Sequence, residues 1–404
     1  MTNDKSQKKK GVSLIILKKL RICKEREEII GVFMCEGSEK VKYYNVKEIL
    51  QQQMECGKIK PGDKIPSENQ LSQQFHVSRH TIRKALAILE DEGWIVAEHG
   101  RGTFCLDHKR KKKVSKNIAV VTTYLSDYIF PRLIQGIDEV LTKNGYSIIL
   151  KNTYNSRKNE ELALQDIVTK EVDGLIIEPS KSAIFCQHIK QYKMLERLGI
   201  PYIFIQGSYP QMKEVASIVM DDVKGAYLLT KYLITLGHKK IAGIFKIDDM
   251  QGNNRHKGYV QALNEAGMIY NPDYVILYHT EDRRKKPKLE VKEWIEKNEG
   301  IDAIVCYNDQ VAWDIMNQLK EMEIHVPSDI SITGYDNSIP LEQEGIQLTT
   351  IAHPKEQLGQ MAAQLILEKI NDINDENSKV SRVIEPQIII GNSCIDRTYR
   401  YRML

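Results

Sequence analysis

The sequence lacks the marks of several protein classes. Its seven cysteines are scattered and form no CxxC pair, so they indicate neither a zinc site nor a disulfide framework. No apolar run approaches the roughly 20 residues that span a bilayer, and the short run at residues 12–17 is followed at once by Lys18 and Lys19. No GxSxG, HExxH or glycine-rich phosphate loop is present. These absences predict a cytoplasmic protein with no metal, no cofactor, no membrane partner and no enzymatic activity.

What the sequence does have is an uneven distribution of charge. Residues 1–116 contain 25 Lys and Arg against 15 Asp and Glu, a net charge of +10, and the remaining residues carry −6, which leaves +4 for the 404-residue chain. A basic first quarter on an acidic body favours contact with a polyanion such as nucleic acid. The alternative is a solubilising segment, because the basic runs at residues 8–10 and 109–113 supply much of the excess.

The length and the pattern divide the chain into four parts. Residues 1–40 show no clean periodicity, and we expect either a flexible extension or an over-extended start with Met34 as the true initiator. Residues 41–105 predict three helices and a hairpin. Residues 106–116 (LDHKRKKKVSK) form a charged linker. Residues 117–404 alternate short apolar runs with amphipathic stretches, which is typical of βαβ units, and their number predicts two parallel sheets. The predicted strands lie at residues 118–121, 147–150, 174–177, 202–205, 241–245, 303–306 and 331–333, and the predicted helices include residues 130–143, 160–170, 223–236, 255–266 and 310–321.

The segment SENQLSQQFHVSRHTIRKALAILEDEG, residues 67–93, predicts a helix-turn-helix. Ser67 and Ser78 are suited to cap two helices, and the turn lies at His76 and Val77. The second helix would then carry polar side chains on the outer face of its first turns, where a recognition helix enters the major groove. An ordinary amphipathic surface helix is the alternative. The side chains concerned are Arg79, His80, Thr81 and Arg83.

A predicted hairpin follows, with the turn His99-Gly-Arg-Gly, and a basic turn in this position can act as a wing that enters the minor groove. The glycines could equally serve the turn alone. The stretches KIKPGDKIPSENQLSQQFHVSRHTIRKAL and LEDEGWIVAEHGRGTF make residues 43–105 resemble the GntR family of winged helix-turn-helix regulators. Besides the recognition-helix residues, the resemblance implies DNA contacts for Lys42, Tyr43, Glu68, Asn69, His99, Gly100 and Arg101.

Ligands of parallel α/β sheets bind beyond the carboxyl ends of the strands, so the residues that follow each predicted strand of the body are candidates. They include aromatic rings, amides, carboxylates and one guanidinium, a mixture that suits sugars. Some of them could serve the fold instead of a ligand: Asp309 could cap a helix, Asn337 could shape a turn, and Tyr307 could belong to the core.

Residues 117–404 resemble the LacI and periplasmic sugar-binding fold. The resemblance rests on GHKKIAGIF at 237–245, NRHKGYVQALNEAG at 254–267, YNDQVAWDIMNQLKEMEIHVPSDISITGYDN at 307–337 and LTTIAHP at 348–354. It implies two lobes, with hinge segments near residues 220–222 and 349–353, that close over a ligand. The expected effector-binding residues are Tyr124, Asp127, Tyr128, Gln206, Arg255, Tyr307, Asn308 and Asp336.

The predicted fold class is therefore α/β: a small winged helix-turn-helix domain joined to a two-lobed periplasmic-binding-protein-like (type 1) domain with parallel sheets. A GntR-type head on a LacI-type body resembles the arabinose-responsive repressors of Gram-positive bacteria. The resemblance implies operator DNA, L-arabinose and a second copy of the chain as partners, whereas the residues alone indicate a small polyhydroxylated ligand. The alternatives are a repressor that responds to another sugar and a sugar-binding transport component.

Overall fold

The computed structural model describes residues 39–98, 100–106, 114–124, 129–338, 345–371 and 381–398. The chain divides into two compact units, of which the first contains residues up to Lys113 and the second nearly all residues from Val114 onward. We call them the head and the body. Two predicted segments are only partly described: residues 1–38 of the predicted extension and residues 107–113 of the predicted linker lie outside the described residues.

The described residues of the head form three helices and a two-stranded antiparallel hairpin, as predicted for residues 41–105. Ser67 caps the second helix and forms a reciprocal capping box with Gln70. His76 follows in the left-handed region at φ 51°, and Ser78 caps the third helix. Buried apolar side chains from all the elements, such as Leu71 and Ile82, close one small core. The elements are α1 (Glu39–Glu55), α2 (Glu68–Phe75), α3 (Arg79–Asp91), β1 (Ile95–Glu98) and β2 (Gly102–Cys105).

The first lobe of the body is built on a six-stranded parallel sheet with the order β13-β7-β6-β5-β3-β4. Successive residues of a strand point to opposite faces, so Ile118 and Val120 enter one core cluster while Ala119 and Val121 enter another. Helices therefore cover both faces of the sheet. The strands are β3 (Asn117–Thr122), β4 (Ser147–Asn152), β5 (Gly174–Ile177), β6 (Tyr202–Ile205), β7 (Ser217–Met220) and β13 (Arg382–Ile384), and the helices of this part of the chain are α4 (Ile129–Lys143), α5 (Arg157–Thr169) and α6 (Ile189–Arg197).

The second lobe contains a four-stranded parallel sheet with the order β11-β10-β8-β9. Its strands are β8 (Ile241–Lys246), β9 (Val275–Tyr278), β10 (Ala303–Cys306) and β11 (Ser331–Thr333), and a short antiparallel pair is formed by β12 (Thr350–Ala352) and β14 (Gln387–Ile389). The helices are α7 (Asp222–Thr235), α8 (Met250–Glu265), α9 (Lys286–Glu296) and α10 (Asp309–Glu321), whereas α11 (Lys355–Asn371) packs on α4 of the first lobe. The two parallel sheets confirm the predicted fold class.

Within the described part of the body, the chain passes between the lobes at three places, of which two were predicted. The first passage follows β7 near residue 221 and the second follows β12 near residue 353, where we expected the hinges. The third passage, between β13 and β14 near residue 385, was not predicted. The strands β7, β9, β12, β13 and β14 and the helices α6, α9 and α11 also go beyond the predicted elements. Among the described residues, no helix is long and apolar enough to cross a membrane.

Candidate DNA-binding surface and effector cavity

The first turns of α3 present exposed basic side chains, as a recognition helix requires. Arg79, His80 and Arg83 are exposed. The expectation that Thr81 lies on the same outer face is wrong, because its side chain is 3% exposed and its hydroxyl lies 2.9 Å from that of the cap residue Ser78. Thr81 therefore supports the start of the helix from inside.

Glu68 at the start of α2 holds both arginines of the recognition helix. Arg83 donates from Nε to Oε1 at 3.1 Å and from Nη2 to Oε2 at 3.0 Å, which is a bidentate pair. Arg79 Nη2 lies 3.6 Å from the same Oε2. The hydrogen bonds from Arg83 lower the pKa of Glu68, so the carboxylate is charged at neutral pH. Both arginine side chains stay more than 60% exposed, so the pairing leaves them accessible to DNA.

The remaining predicted DNA contacts lie in the wing turn, at the start of α1 and in the first turn of α2. Gly100 has φ +75°, and the exposed Arg101 pairs with Glu98 while its guanidinium lies 5.7 Å from the ring centre of Phe104. His99 lies outside the described residues. Asn69 is exposed, Lys42 is half-buried, and Tyr43 packs partly against the head core.

The body encloses a cavity of about 480 Å³. It lies at the carboxyl ends of strands from both lobes, where a ligand of a parallel α/β sheet binds. Of the eight expected effector-binding residues, Asp127 and Tyr128 lie outside the described residues, and all six others line this cavity: Tyr124, Gln206, Arg255, Tyr307, Asn308 and Asp336. The tertiary structure thus brings together residues that are up to 212 positions apart in the sequence.

Arg255 forms the centre of one end of the cavity. It lies in the second turn of α8 and does not open the helix as expected, because α8 begins at Met250. Its Nε donates to Asp222 at 2.9 Å, Nη2 to Asp336 at 3.3 Å, and Nη1 to the backbone carbonyl of Tyr307 at 2.6 Å. Burial opposes its charge, but the carboxylates of Asp336 and Asp222 outweigh burial and raise the pKa of Arg255 further. The guanidinium is therefore permanently charged and rigidly oriented.

Asn308 both caps a helix and lines the cavity, whereas the sequence indicated the cap role only for Asp309. It is the N-cap of α10, and its Oδ1 accepts from the backbone N–H of Val311 at 3.0 Å. The side chain also lines the cavity, so its amide nitrogen can still donate to a ligand. Asp309 is buried and accepts from Thr350 and Ser338, so it fixes the neighbouring segments and is not at the cavity wall.

Two residues of the cavity wall have a strained backbone. Gln206 has φ 65° and Asp336 has φ 94°, a region that non-glycine residues rarely adopt. Their backbone N–H groups donate to Ile218 and Ile351, which holds both in place. Strained residues of this kind occur where a site needs a fixed side-chain direction. Gln206 also lies 3.0 Å from Nε2 of His353, whose pKa burial lowers to about 4, so this contact joins the lobes with a neutral imidazole.

Several polar residues that line the cavity were absent from our site prediction, among them Glu178, Lys246, Asp249 and His353. Glu178 follows β5 directly and Lys246 ends β8, so the rule that ligands bind beyond strand ends pointed at both. Nothing in the sequence distinguished them from the many polar residues that end strands at a solvated edge. Asp249 and His353 gave no comparable signal.

Comparison with protein families finds two matches in the chain. Residues 42–105 match the model of the bacterial regulatory proteins of the gntR family, and residues 230–394 match a periplasmic binding protein-like domain. An arabinose metabolism transcriptional repressor of Halalkalibacterium halodurans is 40% identical over 87% of this chain and 96% of its own length. The corresponding repressor of Geobacillus stearothermophilus is 38% identical over 87% of this chain and 97% of its own length.

The chain belongs to this family of transcriptional repressors. Its fold is also that of solved LacI family regulators. The structure of such a regulator from Enterococcus faecium, which has ribose bound, is 26% identical with a TM-score of 0.60, and the match covers 69% of this chain and 99% of the other. Among the residues that the structure describes, no group of three or more His, Cys, Asp or Glu side chains could hold a metal ion.

Proposed function

We propose that this protein represses genes of arabinose use by binding operator DNA through its head, and that L-arabinose in the body cavity releases it. One observation carries the proposal: all six described residues predicted to bind the effector line one cavity, in a chain whose head carries a capped recognition helix with exposed arginines. The proposal assigns no catalytic role to the chain. The names of the two relatives support arabinose as the effector.

On the DNA side, Arg79 and Arg83 would enter the major groove and bind base edges or phosphates. Glu68 would orient both arginines and could itself accept from a base amino group. The wing, with Gly100, Arg101 and the predicted His99, would reach the minor groove. The DNA backbone or flanking bases would be contacted by Lys42, Tyr43, Asn69 and His80. The buried Thr81 would support the helix cap.

On the sugar side, Arg255, Asp336 and Asn308 would bind neighbouring hydroxyls with paired hydrogen bonds. Asp336 accepts, the amide of Asn308 donates, and Arg255 fixes the orientation of Asp336. Tyr307 and Tyr124 would pack against the C–H faces of the sugar ring, and Gln206 would add a further polar contact. Asp127 and Tyr128 remain predicted contacts of the same loop.

The segments that connect the lobes would couple sugar binding in the body to the release of DNA by the head. A sugar that binds more tightly to the closed arrangement favours it, and closure would change the freedom or spacing of the heads in a homodimer through the 106–116 linker. Two heads on a two-fold axis would recognise a pseudo-palindromic operator. The same linkage requires DNA to weaken sugar binding by the factor by which sugar weakens DNA binding.

Fluorescence anisotropy with labelled operator fragments tests the proposal. We expect salt-dependent binding that L-arabinose weakens by roughly 5- to 150-fold, and a matching loss of sugar affinity in calorimetry when operator is present. Equal operator affinity with and without the sugar would contradict release by the effector. The absence of preference for any fragment over random DNA would contradict the proposal as a whole.

Another sugar is the second candidate effector, since a cavity of about 480 Å³ falls within the usual ~300–1,000 Å³ of ligand sites and also admits a hexose. A thermal-shift screen of pentoses, hexoses and disaccharides separates the two, because a bound ligand raises the unfolding temperature by mass action.

A further inference from the structure

Loops of the two lobes meet along one side of the cleft between them. In the first sheet, β13 and β7 lead into passages between the lobes and lie together at one edge, and β4 is the opposite edge strand. In the second sheet, β11 is bridged to the residues around β12 at another passage, and β9 is the opposite edge strand. The loops that follow β4 and β5 contact the loops that follow β8 and β9. The order of the strands therefore places these contacts toward the side of the cleft away from the hinges.

One of these contacts caps α8 from the opposite lobe. Asp249 is the N-cap residue of α8, but its side chain forms no capping hydrogen bond within the described structure. Instead, the hydroxyl of Ser182, in the loop that follows β5, accepts from the backbone N–H of Met250 at 2.9 Å. The first N–H groups of a helix have no partner within the helix, so a serine oxygen in this place stabilises the helix start. The helix that carries Arg255 therefore has this cap only while the lobes are together.

Asn155, in the loop that follows β4, forms a second link between the lobes. Its Nδ2 donates to Oδ1 of Asp249 at 3.1 Å and to Oγ1 of Thr280 at 2.8 Å, and both acceptors belong to the second lobe. Its Oδ1 accepts from the backbone N–H of Lys181 at 2.7 Å, which connects the two loops of the first lobe. Asn155 is 1% exposed, so this link is largely shielded from water.

Two further contacts join the same loops. The backbone N–H of Ala183 donates to the backbone carbonyl of Asp248 at 3.2 Å. Lys181 pairs with Glu281, and its Nζ lies 3.6 Å from Oδ2 of Asp248. We call residues 155 and 181–183 of the first lobe and residues 248–250 and 280–281 of the second lobe the clasp. Of these residues, all of which the structure describes, only Asp249 lines the cavity, so the clasp is largely separate from the cavity wall.

We propose that the clasp sets the balance between the open and closed arrangements of the lobes, and thereby the sugar concentration at which the repressor leaves DNA. A contact that exists only while the lobes are together favours the closed arrangement, by a factor of roughly five for a typical hydrogen bond. A larger closed fraction raises the apparent affinity for the sugar and lowers that for the operator. The inference rests on the proposed function, which assigns the sugar to the closed arrangement and the operator to the other.

Two variants weaken the clasp while leaving most of each side chain in place. Ser182→Ala removes the acceptor for the N–H of Met250. Asn155→Asp keeps an acceptor for Lys181 but places a carboxylate where the amide lies 3.1 Å from Asp249, so the lobes repel each other there. Thermal unfolding shows whether each variant folds.

Ser156→Ala is the matched control, because Ser156 is a capping serine whose contact stays within one lobe. It is the N-cap of α5, and its hydroxyl accepts from the backbone N–H of Asn159 at 3.4 Å. The control therefore loses a serine cap, as Ser182→Ala does, but it loses no contact between the lobes.

Calorimetry with L-arabinose and fluorescence anisotropy with the operator fragment that the wild type prefers measure the two affinities of the full chain. We expect Ser182→Ala and Asn155→Asp to bind the sugar more weakly and the operator more tightly than the wild type. If each ligand binds one arrangement alone, the factor lost for the sugar multiplied by the factor gained for the operator equals the fall in the closed-to-open ratio. We expect this product to be roughly fivefold for Ser182→Ala and larger for Asn155→Asp.

The opposite signs of the two changes distinguish a shifted balance from damage to the fold, because damage weakens both affinities. We expect Ser156→Ala to lower the unfolding temperature without opposite changes in the two affinities. A loss of both affinities in Ser182→Ala and in Asn155→Asp would therefore overturn the inference.

Hydrogen exchange measured by mass spectrometry tests the clasp without either ligand. The amides of Ala183 and Met250 are bonded across the lobes, so both are protected while the lobes are together. Asn155→Asp is the decisive variant, since it alters neither of the segments 180–184 and 248–252. We expect both segments to exchange faster in this variant and to exchange as in the wild type in Ser156→Ala.

The outcomes separate the inference from the proposed function. If the sugar does not change the operator affinity of the wild type, the proposed function fails and with it the link to DNA release, and hydrogen exchange alone decides whether the clasp exists. If the wild type responds to the sugar but both clasp variants keep wild-type affinities for both ligands, the inference alone is wrong. Wild-type exchange of both segments in Asn155→Asp would also overturn it.

Discussion

The head and the body each contain an arginine that is paired with carboxylates, and the two differ in burial. In the head, Arg83 forms two hydrogen bonds with Glu68, and its side chain is 64% exposed. In the body, Arg255 bonds to Asp222 and Asp336, and its side chain is 5% exposed. The chemical groups are the same, but water surrounds one pair and is excluded from the other.

This difference in solvation decides what each pair can do. An exposed ion pair stabilises a protein by about 0–1 kcal/mol, so Arg83 can exchange Glu68 for DNA at little cost. A buried pair cannot be opened cheaply, since removal of one partner leaves an uncompensated charge without water. The head therefore presents arginines that can change partners, and the body uses its arginine to hold acceptors in fixed positions for a ligand.

The largest effect is expected for Arg255→Ala. The change leaves the carboxylates of Asp222 and Asp336 buried without their cation, and we expect the free energy of unfolding to fall by about 3–5 kcal/mol and the response to sugar to disappear. Urea unfolding and the operator assay measure these two effects. Arg284→Ala is the control, since Arg284 lines the same cavity but is exposed. A loss no larger than that of the control would show that the buried pair is as replaceable as the exposed one.

The second prediction concerns pH. Burial, opposed by the hydrogen bonds from Thr123, raises the pKa of Glu178 from 4.5 to about 7. The folded protein therefore keeps a proton that the unfolded chain loses, and the free energy of unfolding should fall as the pH rises from about 4.5 to about 7, by at most about 3 kcal/mol from this group. Asp222 and Asp309, whose pKa burial raises to about 6, act in the same direction.

Chemical unfolding at several pH values measures this dependence, and Glu178→Gln should reduce its slope without abolishing it. The head should behave differently, because the pKa of Glu68 is lowered. The contribution of Glu68 to stability is complete above pH 4.5, its ordinary pKa, and is lost only as the pH falls below that value. If the free energy of unfolding depended on pH with the same slope in the wild type and in Glu178→Gln, Glu178 would not contribute to the pH dependence.

The third prediction is that Arg83→Ala weakens operator binding by about 1–3 kcal/mol if the side chain is bidentate to a base. The free energy of unfolding should change little, because the pair with Glu68 is exposed. Lys143→Ala is the control, since Lys143 is an exposed, ion-paired cation of the body. A mobility-shift titration in which Arg83→Ala and the control both bind like the wild type would remove Arg83 from the DNA interface.

The smallest effect is expected for Glu68→Gln. We expect its free energy of unfolding to lie within about 0.5 kcal/mol of the wild type, because an exposed ion pair contributes little. Competition between operator and random DNA should nevertheless show reduced discrimination, since Arg79 and Arg83 lose the group that orients them. Stability loss comparable to that of Arg255→Ala would erase the distinction between the two pairs.

Local sequence signals predicted much of the fold. Serine caps and 3.6-residue apolar spacing placed the helix-turn-helix, and four short apolar runs matched the bounds of β5, β6, β10 and β11. Capping and periodicity involve neighbours in the chain, so the sequence displays them directly. The start of α8 was placed five residues late at Arg255, because the five residues of α8 before it, which include Gly252 and two asparagines, have weak helix propensity.

The sequence by itself determined the two-part organisation, the fold class and the types of side chain at the strand ends. Only the tertiary structure decided that Thr81 is buried, that Glu68 joins the recognition helix across 15 residues, and that Glu178, Lys246 and Asp249 share a cavity with Arg255. The reason is physical: burial and pairing depend on which distant segments the packing brings together. A local pattern carries no information about the solvent and the partners that a charged group will meet.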